Sequence, residues 1–216
     1  MGHNVAVHRN LILLLVVIVL TTCNRQKGPP PTEHVEMTAG EYEVLSQWID
    51  NKFTTRKRGR GLDQVVIFDS TDSDDDRVLR DNNGQPVPWG KFADSLRAKA
   101  SSLQQTTIDA YRKANSLPAS VRPQLHLSIH CQILSLSQSE VIFGRGGGMW
   151  PAFYKQFPHS QGLLTFSRVG FSADGTQAFF YYGNQCEGLC GVGGYVIMQK
   201  QGNSWEVDRE IAMWVS

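Results

Sequence analysis

Along the last quarter of the chain, apolar and aromatic blocks alternate with turn residues. Residues 163–171, 177–183, 194–200 and 204–215 form the blocks, with Asp174-Gly175 and Gly202-Asn203 among the breaks. This pattern predicts an antiparallel β-meander over residues 162–216, its strands joined by tight connections. Ala178-Phe179-Phe180-Tyr181-Tyr182 shows no alternation. It therefore reads as a central strand covered on both faces, or as one whose tyrosines keep a wet phenolic edge. Gly194-Tyr195-Val196-Ile197-Met198 behaves in the same way. The connection between them, residues 183–193, is too long and too glycine-rich for a two-residue hairpin, and it contains Cys186 and Cys190.

The first half of the chain has helical periodicity. Thr38-Ala39-Gly40-Glu41 matches a capping box, in which hydroxyl and carboxylate satisfy backbone donors left free at a helix start. Tyr42, Leu45, Trp48, Ile49 and Phe53 then recur at spacings of three and four, which gives a helix one apolar face. The β-branched run Gln64-Val65-Val66-Ile67-Phe68 predicts a short buried strand. Residues 90–115 carry an apolar stripe (Phe92, Leu96, Ala100, Leu103, Ile108, Tyr111), and Pro118 marks its end. Thr106-Thr107 weakens the middle, so the stretch is either two helices or one with a bend. Residues 124–134 alternate as a half-buried strand, with Leu125, Leu127, Ile129, Cys131 and Ile133 on one face and His126, Ser128, His130 and Gln132 on the other. Residues 149–158 read as a short helix between Pro151 and Pro158, with Trp150, Phe153, Tyr154 and Phe157 as a packing plug.

The start of the chain reads as an address. Arg9 precedes an unbroken aliphatic run over residues 11–20, followed by Thr21, Thr22 and Cys23. An apolar core of about ten residues is too short to cross a bilayer as a helix and fits a signal peptide over residues 1–22. Leu20-Thr21-Thr22-Cys23 resembles the lipobox of bacterial lipoproteins, with Thr22 where that pattern prefers glycine, alanine or serine. The resemblance implies lipidation of Cys23 and a membrane anchor. Residues 23–38 contain Gly28-Pro29-Pro30-Pro31 among polar residues and read as an extended linker. Residues 39–216 are long enough for a single domain with its own core.

Charge narrows the partners. A formal net charge of +1 gives no strongly basic face, so no nucleic-acid partner is expected. Arg56-Lys57-Arg58-Gly59-Arg60 is the local exception and reads as a solvated loop or a contact with anionic lipid. The acidic cluster Asp69, Asp72, Asp74, Asp75 and Asp76 suggests calcium, but an EF-hand register fails. Counting from Asp72 puts Arg77 and Asn83 where glycine and glutamate are required; counting from Asp69 puts Asp74 and Arg80 there. His126 and His130 share a strand face but have no local third ligand. Cys131 is adjacent to His130 and so points to the opposite face, which rules out a nucleophile–base dyad between them. The glycine run at residues 144–148 lacks the lysine and hydroxyl residue of a phosphate-binding loop. No catalytic residue, metal site or cofactor is assigned.

In an oxidising compartment Cys186 and Cys190 are the natural disulfide pair, with three residues between them in a flexible loop. Trp150, Phe153-Tyr154, Phe157-Pro158 and Ser160-Gln161-Gly162 are followed by Ser167-Arg168-Val169-Gly170-Phe171, Gln177-Ala178, Gly188, Gly191, Gly193, Gly202, Trp205 and Trp214-Val215-Ser216. Over this last third the chain resembles a group of exported bacterial proteins to which no activity is attached. The resemblance implies export and this fold, and transfers no catalytic residue.

The expected architecture is α+β, with N-terminal helices packed on one face of a C-terminal antiparallel β-meander sheet. The expected role is binding or structural, in a cell-envelope lipoprotein facing periplasm or exterior, or in a secreted protein if Cys23 is not lipidated. Its partners would be the membrane, through the lipid, and an envelope protein or small ligand met at the 186–193 loop or at exposed Tyr181, Tyr182 or Tyr195. The rival reading is an extracytoplasmic hydrolase, which requires at least two of Arg168, Glu187, His126, His130 and His159 to converge beside a cavity. Arg168, flanked by Phe166, Val169 and Phe171, reads first as one half of a structural ion pair.

Overall fold

The run Gln64–Phe68, apolar apart from its first residue, is buried along nearly its whole length because it lies inside a sheet between two other strands. The computed structural model describes residues 35–54, 63–72 and 85–216, all within one compact unit. The expected signal segment 1–22, Cys23, the linker up to residue 34, the basic run Arg56–Arg60, and Asp74, Asp75 and Asp76 lie outside the described residues.

In chain order the described elements are β1 (Val35–Glu36), α1 (Ala39–Ile49) with a π-helical turn (Asp50–Thr54), β2 (Gln64–Phe68), α2 (Trp89–Lys99) and α3 (Gln105–Ala114). Then come β3 (Ala119–Ser120), β4 (His130–Leu134), α4 (Leu136–Phe143), α5 (Met149–Gln156), β5 (Ser160–Phe166), β6 (Gly170–Phe171), β7 (Gln177–Gln185), β8 (Val192–Gln201) and β9 (Ser204–Val215). A seven-stranded sheet has the order β4-β2-β5-β7-β8-β9, with β6 on β7, and β1 pairs separately with β3. The class is α+β, with a sheet that is mostly antiparallel. The C-terminal meander is not a sheet by itself, because β4, β2 and β5 run parallel and extend it.

Alternation along the central strands divides the core. Ala178, Phe180 and Tyr182 of β7, with Val196 and Met198 of β8, share one cluster with Tyr42, Leu45, Trp48 and Ile49 of α1. Phe179, Tyr181, Tyr195 and Ile197 share a second with Phe92 and Leu96 of α2 and Ile108 and Tyr111 of α3. Val66, Leu134 and Leu163 form a third with Ile142 of α4, Phe153 of α5 and Phe157 just after it. The helices therefore occupy both faces, not one as the sequence suggested. The physical reason is in β7 itself: eight consecutive buried residues leave no face for solvent. Trp48 is fully buried and meets Phe53, Phe166 and Phe180 edge-on, with centroids 5.4–6.1 Å away.

Residues 90–115 resolve into α2 and α3. Neither has a side-chain N-cap. The fully buried Gln177 serves the break between them, its Oε1 accepting the Gln104 N–H at 2.9 Å and its Nε2 donating to the Ser102 carbonyl at 2.8 Å. The predicted strand over residues 124–134 begins only at His130. Upstream of it the chain takes its hydrogen bonds from α1 and not from β2.

The capping box at Thr38 forms as the sequence implied, and its glutamate does more than cap. Glu41, only 1% exposed, accepts both Nε and Nη2 of Arg168 at 2.8 Å, together with the backbone N–H of Thr38 and of Val169. Arg168 is held in turn by Asn115, whose Oδ1 accepts the Arg168 N–H while its Nδ2 donates to the carbonyls of Tyr111 and Arg168. Burial alone would raise the Glu41 pKa; the hydrogen bonds and charge of Arg168, with the two amides, outweigh it and hold the carboxyl below its ordinary value.

A carboxylate with a depressed pKa stabilises the fold above its unfolded-state pKa, and that contribution is lost as pH falls through the folded-state value. Urea unfolding at pH 7 should show Arg168→Leu destabilised by about 3–5 kcal/mol, because it strands a buried charge. The gap should narrow on acidification below the ordinary glutamate range; a gap independent of pH would show that the pair is not the source.

Candidate functional site

Tyr42 and Ser46 of α1 and Asp50 at the start of the π-helical turn, spaced by four, lie along one helical stripe. Each accepts a backbone N–H from the extended chain beside it. Tyr42 Oη takes Arg122 N at 2.7 Å, Ser46 Oγ takes His126 N at 3.0 Å, and Asp50 Oδ1 takes Ser128 N at 2.9 Å. The helix thereby supplies the acceptors a neighbouring strand would have given, and residues 121–129 lie outside the sheet. At Pro123 and Gln124 the contact opens. Gln124 N turns back to the Arg122 carbonyl, and a groove of about 420 Å³ remains, lined by Ala39, Tyr42, Glu43, Ser46, Gln47, Pro123, Gln124 and His126. Glu43 and His126 are exposed, whereas the Tyr42 ring is buried and its phenol pKa is raised mainly by burial. The groove thus offers an apolar floor with amide, carboxylate and imidazole groups at its rim, a lining suited to holding a small ligand.

Of the residues considered for chemistry, Arg168 is committed to Glu41. His126, His130, His159 and Glu187 are exposed, and among the described residues no hydrogen bond or ion pair joins any two of the five. Tyr181, Tyr182 and Tyr195 were expected at the surface but are buried, 9%, 3% and 3% exposed. Helices on both faces of β7 and β8 cover them, so they contribute core and not a ligand platform. Cys131 is half-buried, and loss of hydration pushes its thiol pKa up to about 11. Among the described residues no group of three or more His, Cys, Asp or Glu side chains is placed to hold a metal ion. Asp69 accepts the Leu136 N–H, and Asp72 accepts the Thr165 hydroxyl.

Cys186 and Cys190 are joined by a disulfide with Cα atoms 5.8 Å apart. Closing so short a loop is worth about 2 kcal/mol in the chain-entropy view. Burial pushes the Tyr154 phenol of α5 above its ordinary pKa, with the nearby Glu187 backbone opposing the shift. A further cluster had no sequence signal beyond its residue types. Lys52 Nζ donates to Tyr182 Oη at 2.8 Å and to Glu210 Oε2 at 2.6 Å, and lies 4.3 Å from the Tyr182 ring centroid. Trp48 Nε1 donates to the other oxygen of Glu210. Because carboxylate, phenol and indole all converge on one another, this cluster fastens α1 to β9. The stripe Tyr42–Ser46–Asp50 did have a signal, polar atoms at a spacing of four, but its partners are about 80 residues away.

Ser46→Ala removes one acceptor from the stripe and should cost about 1 kcal/mol. Amide exchange should quicken at His126 more than at β7; equal protection in variant and parent would show that the clamp does not hold the segment. For Cys131, iodoacetamide at pH 8 should leave the folded protein unmodified and react once urea unfolds it, read by intact mass. No family model, curated protein or solved structure matches the chain.

Proposed function

We propose that this chain is an exported bacterial protein of the cell envelope, tethered by lipid on Cys23, which acts by binding a ligand in the groove between α1 and residues 123–126. The groove carries the reading: it is open, apolar at its base and rimmed by Glu43, Gln47, Gln124 and His126. Support for export comes from Arg9, the aliphatic run at 11–20 and Cys23 in the sequence, together with the disulfide between Cys186 and Cys190. The likeness of the last third of the chain to exported bacterial proteins points the same way. In this reading the chain between Cys23 and β1 spaces the α+β domain from the membrane, and the helices flanking the sheet serve as a rigid mount for the groove. The expected linker bound of 38 is too late, because Val35–Glu36 pairs with β3 and Met37 is buried in the core. The partner is an envelope protein or a small molecule of that compartment.

Two measurements test it. Intact mass of protein from the host membrane fraction should show a mature start at Cys23 carrying acyl chains; an unmodified N-terminus removes the tether. Amide chemical-shift mapping with short peptides, amino sugars and cell-wall peptide fragments should give saturable shifts at Gln47, Gln124 and His126. Gln124→Trp, which fills the groove from its exposed rim, should abolish those shifts and leave the melting temperature within a few degrees of the parent. Shifts that survive the substitution, or a panel with none at the groove, would remove the binding reading.

A further inference from the structure

The two edges of the large sheet are built differently. β9 carries Glu206, Asp208, Arg209 and Glu210, and its register with β8 slips at two places, between Gly193/Gly194 and Ile197/Met198. Charges and bulges keep an edge strand from pairing with another chain. β4, at the opposite edge, has neither. Its sequence His130-Cys131-Gln132-Ile133-Leu134 contains no Lys, Arg, Asp, Glu or Pro, and its register with β2 is unbroken. Among the described residues no strand pairs with its outer side.

The apolar side chains at this edge are also incompletely covered. Cys131 and Ile133 pack against the first core but stay half-buried, while Leu134 at the far end of the strand is fully buried. Among the described residues the core therefore reaches this edge with Cys131 and Ile133 only half-buried.

We propose that β4 pairs antiparallel with β4 of a second copy of this chain, about a two-fold axis perpendicular to the sheet and centred on Gln132. This goes beyond the binding reading and does not depend on it. A two-fold axis in that direction keeps the same faces of the two sheets together, so the sheet continues from one copy into the next. It sets Cys131 opposite the partner's Ile133 on the face of the first core, which covers the half-buried apolar rim of both copies. Because β4 carries no formal charge, self-pairing brings no like charges together, the usual penalty for placing identical strands side by side. The same pairing supplies partners for backbone groups on the outer side of each strand. An extended segment from a different protein would satisfy the backbone equally, but the self-matching, uncharged strand favours a second copy.

Sedimentation equilibrium of the purified mature protein over a hundredfold range of concentration tests the proposal. The weight-average mass should rise to twice the monomer mass. The double variant His130→Lys, Gln132→Lys should remain a monomer with unchanged far-ultraviolet circular dichroism. Since Gln132 also donates to Gln64, a second variant guards against simple misfolding. Cys131→Ser, Gln132→Cys should form a covalent dimer on treatment with diamide, because the two-fold places the new thiols opposite each other. A wild-type monomer at every concentration overturns the proposal. So does a dimer that persists in the double lysine variant and gives no cross-link through position 132.

Discussion

A carboxylate taken out of water costs several kcal/mol unless charge and hydrogen bonds replace its hydration, and the placing of α1 depends on how Glu41 meets that demand. Its two oxygens are filled by Arg168 and by the amides of Thr38 and Val169. Three parts of the chain meet there: the start of α1, the connection after β5 and, through Asn115, the end of α3. An ion pair of this kind is not the cheapest way to fill a core, since apolar residues of similar volume often stabilise as well. What it adds is position. A bidentate fork accepts one orientation, and that orientation fixes where α1 begins.

Much of the candidate site follows from that anchor. With the first turn of α1 fixed, the stripe Tyr42–Ser46–Asp50 faces residues 122–128, and the groove opens where Pro123 and Gln124 leave the stripe. At the far end of the same helix Lys52 and Trp48 both reach Glu210 of β9. One helix thus ties the extended segment on one side to the outer strand on the other, and one wall of the groove is a regular helix, not a loop.

Close approach sets the opposite end of the sheet. The Trp214 indole lies over Gly183 and Gly193, where a Cβ on Gly193 would occupy the ring's own position, and its N–H donates to Tyr181 Oη at 2.6 Å. Gly193 and Trp214 are cross-strand neighbours, so the absence of a side chain on one makes room for the large ring of the other. The disulfide loop leads directly into this glycine segment. Glycine in the connection therefore has a packing reason in addition to a turn reason.

Local physics was legible in the sequence. Thr38 and Glu41 form a capping box because the interaction spans three residues; Gln64–Phe68 is a buried strand because its side chains demand it; Cys186 and Cys190 are near enough in sequence to meet. Arg168 was legible as one half of a structural ion pair, but the distant partners of Arg168, Asn115 and Gln177 were beyond reach, since they lie 53 to 127 residues away and any of several polar side chains could have served. The unbroken apolar runs of β7 and β8 allowed either a strand covered on both faces or a wet phenolic edge; the first holds, and the tyrosines expected at the surface are buried because helices pack on both faces. Residues 124–129 kept the alternation of a strand but lost the sheet, because an amide is satisfied equally by a hydroxyl or carboxylate on a helix. By itself, then, the sequence determined the elements whose forces act within a few residues. The tertiary structure alone decided which faces are buried, where the groove opens and which strands form the sheet's edges among the described residues, since those depend on contacts between segments far apart in the chain.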